Sequence, residues 1–165
     1  MFRKMRRFKQ EMSAEECREL LKTQVRGVLS LLGDDGYPYG LPIDYWYNEA
    51  DGKLYFHGAR EGHKIDAIRA CDKASFCIHD EGVRMDGEWP LHFRSVIVFG
   101  CIAPVTDEAA TALACKELSR KFTPDDEYFN KVYAAAKDRV LCLALTPEHI
   151  TGKRIKDVVP GLCAS

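Results

Sequence analysis

The sequence predicts an α+β protein built around a small antiparallel β-barrel of six strands. A chain of 165 residues that is 46% apolar and 30% charged is long enough for one domain with its own core. Six strand-like segments are joined mostly by short connections with turn signals, which favour antiparallel pairing. A single sheet of six strands must protect its edges, and closure into a barrel removes them.

The first two predicted elements are a helix over residues 13–24 and a strand over residues 26–32. Ser13 and Glu16 form a capping-box pattern at the start of the helix. Apolar residues then recur at helical spacing along one of its faces. The sequence GDDG at residues 33–36 follows the strand and predicts a hairpin turn.

A second strand is predicted over residues 37–47, where YPYGLPIDYWY alternates between two faces. One face carries aromatic and aliphatic side chains, whereas the other includes Pro38, Gly40, Pro42 and Asp44. Because proline has no backbone N–H to donate, this strand is expected at an edge or where the sheet opens. Its second face is flat near Gly40 and Pro42.

The remaining elements are a strand, a short helix, two strands, two helices and a last strand. No internal repeat or linker interrupts them, so residues 1–165 are interpreted as a single domain. A basic arm over residues 1–12 is expected to precede it, and a tail over residues 150–165 to end it. The predicted bounds are 53–58, 74–79, 92–104 and 140–145 for the strands and 62–70, 106–122 and 124–137 for the helices.

The last predicted helix has a well-defined start. Thr123 is the expected N-cap, and Pro124 suits the first helical position because its missing N–H would have no partner there anyway. The residues that recur at helical spacing predict its inner face, which carries Phe129, Val132, Tyr133 and Ala136.

Composition and charge exclude several classes of function. A formal net charge of −1 gives no general reason to expect a nucleic-acid partner. The basic arm is interpreted as solvated, with an RNA or membrane patch as the alternative. No apolar run approaches the ~20 residues of a membrane helix, and the amino terminus lacks a signal peptide's apolar core. Seven cysteines without a C-x-x-C pair predict reduced thiols in a cytoplasmic protein.

The sequence YFHGAREGHK at residues 55–64 gathers positive or protonatable groups at the end of a predicted strand. The following helix starts near Gly62, and free backbone N–H groups at a helix start favour an anion. Lys64 and Arg60 add charge, while Gly58 permits close approach of a ligand. The pattern therefore predicts a phosphate site, with a charged surface turn as the alternative.

A metal site is the weaker interpretation of the same region. His57 and His63 lie six residues apart, wider than the usual spacing of paired metal ligands, and no ligand pair repeats. We therefore predict no metal. The chain also lacks a G-x-S-x-G elbow, a P-loop and a G-x-G-x-x-G fingerprint.

Several segments occur together in an order that covers nearly the whole chain: MFRKMRR, QEMSAEEC, GYPYGLPIDYWY, LYFHGAREGHKIDAI, ASFCIHD, FRSVIVFG and ITGK. This ordered set resembles the 5-nitroimidazole-resistance (Nim) proteins, a group of the FMN-binding split β-barrels related to pyridoxamine 5′-phosphate oxidase. The resemblance implies a six-stranded antiparallel split β-barrel with flanking helices. It also implies a homodimer that binds FMN at the subunit interface.

The resemblance assigns roles to particular positions. Ser95 is implied to contact the flavin bound mainly to the other subunit. Related oxidases carry Arg-Lys where this chain has His63-Lys64, and Arg60 is expected to compensate for the missing charge. The FMN phosphate is implied to contact Phe56, His57, His63 and Lys64, with Gly58 close by. The isoalloxazine ring is implied to lie against backbone of Leu41, Pro42, Ile43 and Asp44.

The implied activity is FMN-dependent reduction of small molecules such as nitroaromatics, with a nicotinamide as electron donor. His57 matches a histidine near the flavin and would act as a proton donor. Alternatively, His57 only forms a hydrogen bond to the phosphate or to a neighbouring strand. Three other functions stay open: a flavin- or haem-binding module without turnover, a dimeric scaffold, and a pyridoxamine-phosphate oxidase, whose C-terminal substrate residues have no match here.

Overall fold

Eight strands, four α-helices and two short 3₁₀-helices form in residues 1–155, the part of the chain that this computed structural model describes. The helices are α1 (Ala14–Thr23), α2 (His63–Ala70), α3 (Glu108–Arg120) and α4 (Asp126–Ala136). The strands are β1 (Arg26–Leu32), β2 (Pro38–Asp44), β3 (Trp46–Asn48), β4 (Lys53–Ala59), β5 (Lys73–His79), β6 (Val83–Arg84), β7 (Leu91–Pro104) and β8 (Val140–Ile155).

The sheet is antiparallel throughout and curls into a half-barrel. Its strand order is β2-β1-β5-β7-β8-β4-β3, and the short β6 pairs with β7. The two edge strands, β2 and β3, are consecutive in the chain and are separated only by Tyr45. The chain therefore passes directly from one edge of the sheet to the other. With β2 and β3 taken as one interrupted strand and β6 set aside, the predicted six-stranded α+β split barrel is confirmed.

Tyr45 interrupts the strand that was predicted to run unbroken over residues 37–47. Its backbone N–H donates to the Val25 carbonyl at 3.2 Å, and its hydroxyl donates to the Leu21 carbonyl at 2.7 Å. The side chain is fully buried, and its ring packs edge-on against Phe76. A hydrogen bond of this kind contributes ~1 kcal/mol to stability. Tertiary contacts thus override the alternating pattern at this residue.

The last strand is longer than predicted, since β8 continues from Val140 to Ile155 rather than ending at residue 145. It pairs with β7 along most of its length, with an irregularity between Phe99 and Gly100 of β7. A Cβ on Gly100 would collide with the Thr146 carbonyl, so a side chain there would block the pairing. Of the expected C-terminal tail, residues 150–155 belong to β8 and residues 156–165 lie outside the described residues.

The helix starts were predicted with mixed success. The capping box of α1 is confirmed, with Ser13 and Glu16 bonded reciprocally. The predicted start of α4 is wrong: its N-cap is Asp125, whose side chain accepts from the Tyr128 N–H at 2.9 Å. Thr123 instead accepts from the Asp125 N–H, and Pro124 lies outside the helix. Asp125 prevails because its carboxylate reaches the free N–H groups of the first turn.

The core fills the inside of the barrel, and α1 covers one end of it. A smaller cluster lies on the outer face, where Ala114 of α3 packs on Tyr55 of β4 and Cys142 of β8. Helix α4 packs mainly on α3 and has no fully buried residue. The six cysteines in residues 1–155 carry free thiols. No helix in this part of the chain is long and apolar enough to cross a membrane.

Candidate functional site

The barrel is open beside the second half of β4. Strand β4 pairs with β3 through residues 53–55 and with β8 through residues 54–59. Within the described residues, the edge of β4 opposite β8 therefore has no strand partner over residues 56–59. The end of β2 approaches this gap. The unpaired edge, the loop after it and the start of α2 together contain six of the eleven predicted site residues.

The loop after β4 and the start of α2 form what we call the anion cradle, made of Gly58, Gly62 and the amino end of α2 with Lys64. Gly62 has φ 109°, which favours glycine, and α2 has no side-chain cap. The Lys64 amine lies over Gly58, where an added Cβ would sit 2.5 Å from Nζ. Burial lowers the pKa of Lys64. A cation beside free helix N–H groups is suited to an anion.

The side chains of His63 and Arg60, both predicted near the phosphate, have other neighbours in the structure. The His63 ring stacks on Tyr39 with centroids 4.1 Å apart, and its Nε2 lies 3.6 Å from a carboxylate oxygen of Asp34. His63 can therefore offer its backbone N–H to the cradle while its ring is engaged elsewhere. Arg60 lines two other cavities, formed with residues of β7 and β8, and these cavities include neither His57 nor Lys64.

Successive residues of β4 face opposite sides of the sheet. Phe56 points into the barrel, where it is fully buried and packs edge-on against Phe76. Any contact of Phe56 with a cofactor is therefore through its backbone. His57 points outward and pairs in register with Cys142 of β8. Gly58 follows on the opposite side from His57, and the Lys64 amine lies on that side, next to Gly58.

His57 and Asp44 lie close enough to affect one another. The His57 side chain is exposed by surface area, yet the surrounding protein is the main cause that lowers its pKa. The charge of Lys64 lowers that pKa further, and Asp44 opposes both. Asp44 is held by Arg26, whose Nε and second terminal nitrogen donate to its two oxygens at 2.6 and 3.2 Å. His57 is therefore mainly neutral near pH 7.

His57 and Asp44 also line a cavity of about 300 Å³ beneath the two outer helices, here called the α3–α4 cavity. Its other walls come from α3, α4 and the first residue of β8. The predicted inner face of α4 is thus the correct face, but it lines a cavity rather than the core. The further lining residues are Cys115, Leu118, Ser119, Phe122, Phe129, Val132, Tyr133, Ala136 and Val140.

Lys121 was not predicted, and it ties the end of α3 to the barrel. Its amine donates to the Gln24 carbonyl at 2.6 Å and lies 4.2 Å from the centroid of the Tyr45 ring. Burial lowers the pKa of Lys121 to about 8, against the opposing charge of Asp44. A lysine at a helix end is usually solvated, so nothing in the sequence distinguishes this one.

The residues predicted to support a flavin ring lie along β2. Leu41 and Ile43 pack inward against the core. Gly40 and Pro42 are exposed and form part of the outer face, as the alternation predicts. Strand β2 is at an edge of the sheet, which confirms the expectation from its prolines.

Ser95 lies apart from the other predicted residues. It pairs with His79 of β5 and Lys153 of β8, whereas His57 pairs with Cys142 at the opposite end of β8. A single chain therefore does not bring Ser95 to His57. Within residues 1–155 no three His, Cys, Asp or Glu side chains are grouped to hold a metal ion.

The family model for pyridoxamine 5′-phosphate oxidase matches residues 13–154, which run from the N-cap of α1 almost to the end of β8. The chain belongs to the pyridoxamine 5′-phosphate oxidase family. None of the curated protein sequences is significantly similar to it. The family assignment confirms the broader part of the resemblance, and membership of the nitroimidazole-resistance group stays a prediction.

Solved structures share the fold of this pyridoxamine 5′-phosphate oxidase family member. Flavocytochrome Anf3 from Azotobacter vinelandii has a TM-score of 0.74 at 19% identity, over 94% of this chain and 76% of its own. A candidate 5-nitroimidazole antibiotic resistance protein from Bacteroides thetaiotaomicron scores 0.71 at 17% identity, over 87% of this chain and 86% of its own. The FAD binding protein from Mycobacterium smegmatis has a TM-score of 0.59 at 25% identity, over 88% of this chain and 99% of its own.

The lowered pKa of His57 predicts that the stability of this pyridoxamine 5′-phosphate oxidase family member depends on pH. Its folded pKa is below the ordinary 6.5, so the unfolded chain binds more protons between the two values. Stability should therefore fall as the pH drops below about 6.5. The charged groups that act on the ring are Lys64 from α2 and Asp44 from β2, while Cys142 and Tyr133 are its uncharged neighbours.

NMR titration of the His57 ring measures this directly. Lys64→Gln should raise the pKa of His57, since the lysine charge lowers it, and Asp44→Asn should lower it further. His57→Asn should reduce the loss of stability on acidification. An unchanged His57 pKa in the Lys64→Gln variant would show that the two side chains are not coupled.

Proposed function

We propose that this chain binds a flavin, specifically FMN. With it the protein reduces small molecules such as nitroimidazoles and other nitroaromatics in the cytoplasm. The observation that carries the proposal is the Lys64 amine over Gly58, beside the uncapped amino end of α2 and the open edge of β4. The solved structures that share the fold include an FAD binding protein and a flavocytochrome. Their names support a flavin here without distinguishing FMN from FAD.

The residues present suit a flavin phosphate. A phosphate in the anion cradle would accept hydrogen bonds from the Lys64 amine and from backbone N–H groups at the start of α2. A planar ring would lie against the flat outer face of β2 at Gly40 and Pro42, which has no bulky side chain at those positions. A bound flavin supplies hydride or single-electron transfer, and the protein supplies position and electrostatics.

His57 and Asp44 would then act at the edge of the ring. Neutral His57 can donate a hydrogen bond from its ring N–H to a nitro oxygen, and its protonated fraction grows as the pH falls. Asp44 favours that protonated form and is itself held in place by Arg26. This pair provides proton delivery at the point where a nitro group would be reduced.

We also propose that the functional unit is a homodimer with FMN at the subunit interface. The outer face of β1 exposes Val28 by 43% and Leu32 by 50%, next to the exposed Pro42 of β2. Exposed apolar strands of this kind are suited to an interface. Ser95 is too far from His57 in one chain to share its site, but it would reach the flavin held by a second copy related by a two-fold axis.

Sedimentation of the purified protein tests the homodimer. We expect a dimer whose thermal stability rises with added FMN by mass action. Val28→Glu should produce monomers with weakened FMN binding, whereas Leu113→Glu, an equally exposed position on α3, should leave the dimer intact. A monomeric wild-type protein that binds FMN tightly would contradict the homodimer.

A second candidate is a flavin- or haem-binding protein without turnover, favoured by the shared fold of the flavocytochrome. Absorption distinguishes the cofactors, because flavins absorb at ~450 nm and haem at ~400 nm. The reductase itself is tested by supplying FMN and NADH or NADPH and following loss of a nitroimidazole. Flavin binding without nitro reduction above the rate of free FMN would favour the second candidate.

A further inference from the structure

The α3–α4 cavity is a second compartment beside the anion cradle. His57 and Asp44 form its polar end, and α3 and α4 provide apolar walls. We propose that it binds neutral compounds with a single aromatic or heteroaromatic ring, and that Phe129 and Tyr133 select them. The inference deepens the proposed function and rests on it, because the ring would be presented to the flavin next to His57.

The size of the cavity sets the size of the ligand. A volume of about 300 Å³ is at the lower end for small-molecule sites. It accommodates one ring with short substituents, whereas the three fused rings and ribityl phosphate of FMN would extend out of it. Lys64 is also absent from its lining. The cavity is therefore a compartment for a smaller molecule than the cofactor.

The walls indicate an aromatic ligand. The rings of Phe129 and Tyr133 are stacked, with centroids 5.3 Å apart and planes 17° from parallel. Phe122, between α3 and α4, is 55% exposed and Val132 of α4 is 47% exposed, so this apolar surface remains in contact with solvent. A planar ring seated here would remove apolar surface from water and form ring–ring contacts. This gives a reason for an apolar helix face that the core does not use.

The polar end indicates a neutral ligand. The Asp44 carboxylate is balanced by Arg26, which donates to both of its oxygens. His57 is mainly neutral near pH 7, as argued above, and Ser119 adds a hydroxyl group. Among the lining residues only Asp44 carries a formal charge, so the lining itself offers hydrogen bonds but no cation. A buried anionic substituent would lose its hydration without gaining a partner ion.

Ligand-observed NMR titration tests the inference, with and without FMN, using 4-nitrobenzyl alcohol as the neutral probe. The anion 4-nitrobenzoate and the polycyclic 1-nitropyrene serve as mismatched probes. Phe129→Ala should weaken 4-nitrobenzyl alcohol binding roughly tenfold, the loss of one aromatic contact. Tyr128→Ala is the matched control, since Tyr128 lies on the same helix but is 58% exposed and does not line the cavity.

Val132→Trp should abolish binding of the probe by filling the cavity, while FMN affinity stays unchanged in all three variants. Equal affinities in the Phe129→Ala and Tyr128→Ala variants would overturn the inference, as would tighter binding of either mismatched probe. A parallel loss of FMN affinity in Phe129→Ala would assign the cavity to the flavin instead. Failure of the wild-type protein to bind any flavin would refute the proposed function. Titration of the flavin-free protein with the probe would still show whether the cavity binds a neutral aromatic ring.

Discussion

Replacing Lys64 with alanine should weaken FMN binding by roughly 10- to 100-fold, the loss of a charge-assisted hydrogen bond to phosphate. The Lys64 amine lies over Gly58, beside the start of α2. Riboflavin lacks the phosphate, so its affinity should change little. Fluorescence titration with both ligands measures the difference.

Two further variants define what the cradle does. Arg69→Ala removes an exposed charge from the same helix and should leave both affinities unchanged. Gly58→Ala should weaken FMN binding in part, because its Cβ would displace the flexible end of Lys64 without disturbing the backbone. Equal losses for FMN and riboflavin in Lys64→Ala would show that Lys64 does not contact the phosphate.

The second large effect is expected for His57→Ala. Whether the variant loses reduction rate or flavin content distinguishes the two possible roles of the histidine. If His57 delivers a proton, the variant should keep its flavin but reduce a nitroimidazole roughly 10²- to 10⁴-fold more slowly. Its rate should also lose the rise toward acidic pH that protonation of His57 gives the wild type. If His57 only binds the phosphate, flavin content should fall and activity should fall in proportion.

Flavin content and the rate of nitro reduction, each measured from pH 5 to 8, decide between these roles. Ser119→Ala is a useful control, because it removes a polar group from the same cavity without affecting proton delivery. A His57→Ala variant with normal flavin content, rate and pH profile would exclude the histidine from the chemistry.

Sequence patterns over a few residues correctly predicted the parts of the fold that depend on neighbouring residues in the chain. The capping box of α1 follows from Ser13 and Glu16, and the edge position of β2 follows from its prolines. The break at Tyr45 could not be predicted, because its partners in α1 and β5 are distant in sequence. The second half of β8 has no apolar run, and its pairing with β7 is a long-range contact that no local pattern indicates.

In the candidate site, too, some features could be predicted from the sequence and others could not. The proximity of Gly58 and Lys64 was predictable, since one loop connects their strand and helix. The cavities that the Arg60 side chain lines could not be predicted, because residues in a loop have no periodic pattern that indicates where their side chains point. The apolar face of α4 could be identified from spacing, but spacing does not distinguish a cavity wall from a core contact. Lys121 depends on contacts with Gln24 and Tyr45 that only the folded chain creates.

The most direct test of the central claim, that this chain is a flavin protein, is the identity and amount of cofactor it carries. Protein purified without added flavin, and then saturated with FMN and washed, should release one flavin per chain on denaturation, identified by mass and absorption spectrum. The Lys64→Ala variant should release much less FMN under the same washing. A wild-type protein that retains no flavin after saturation with FMN, FAD or riboflavin would contradict the account.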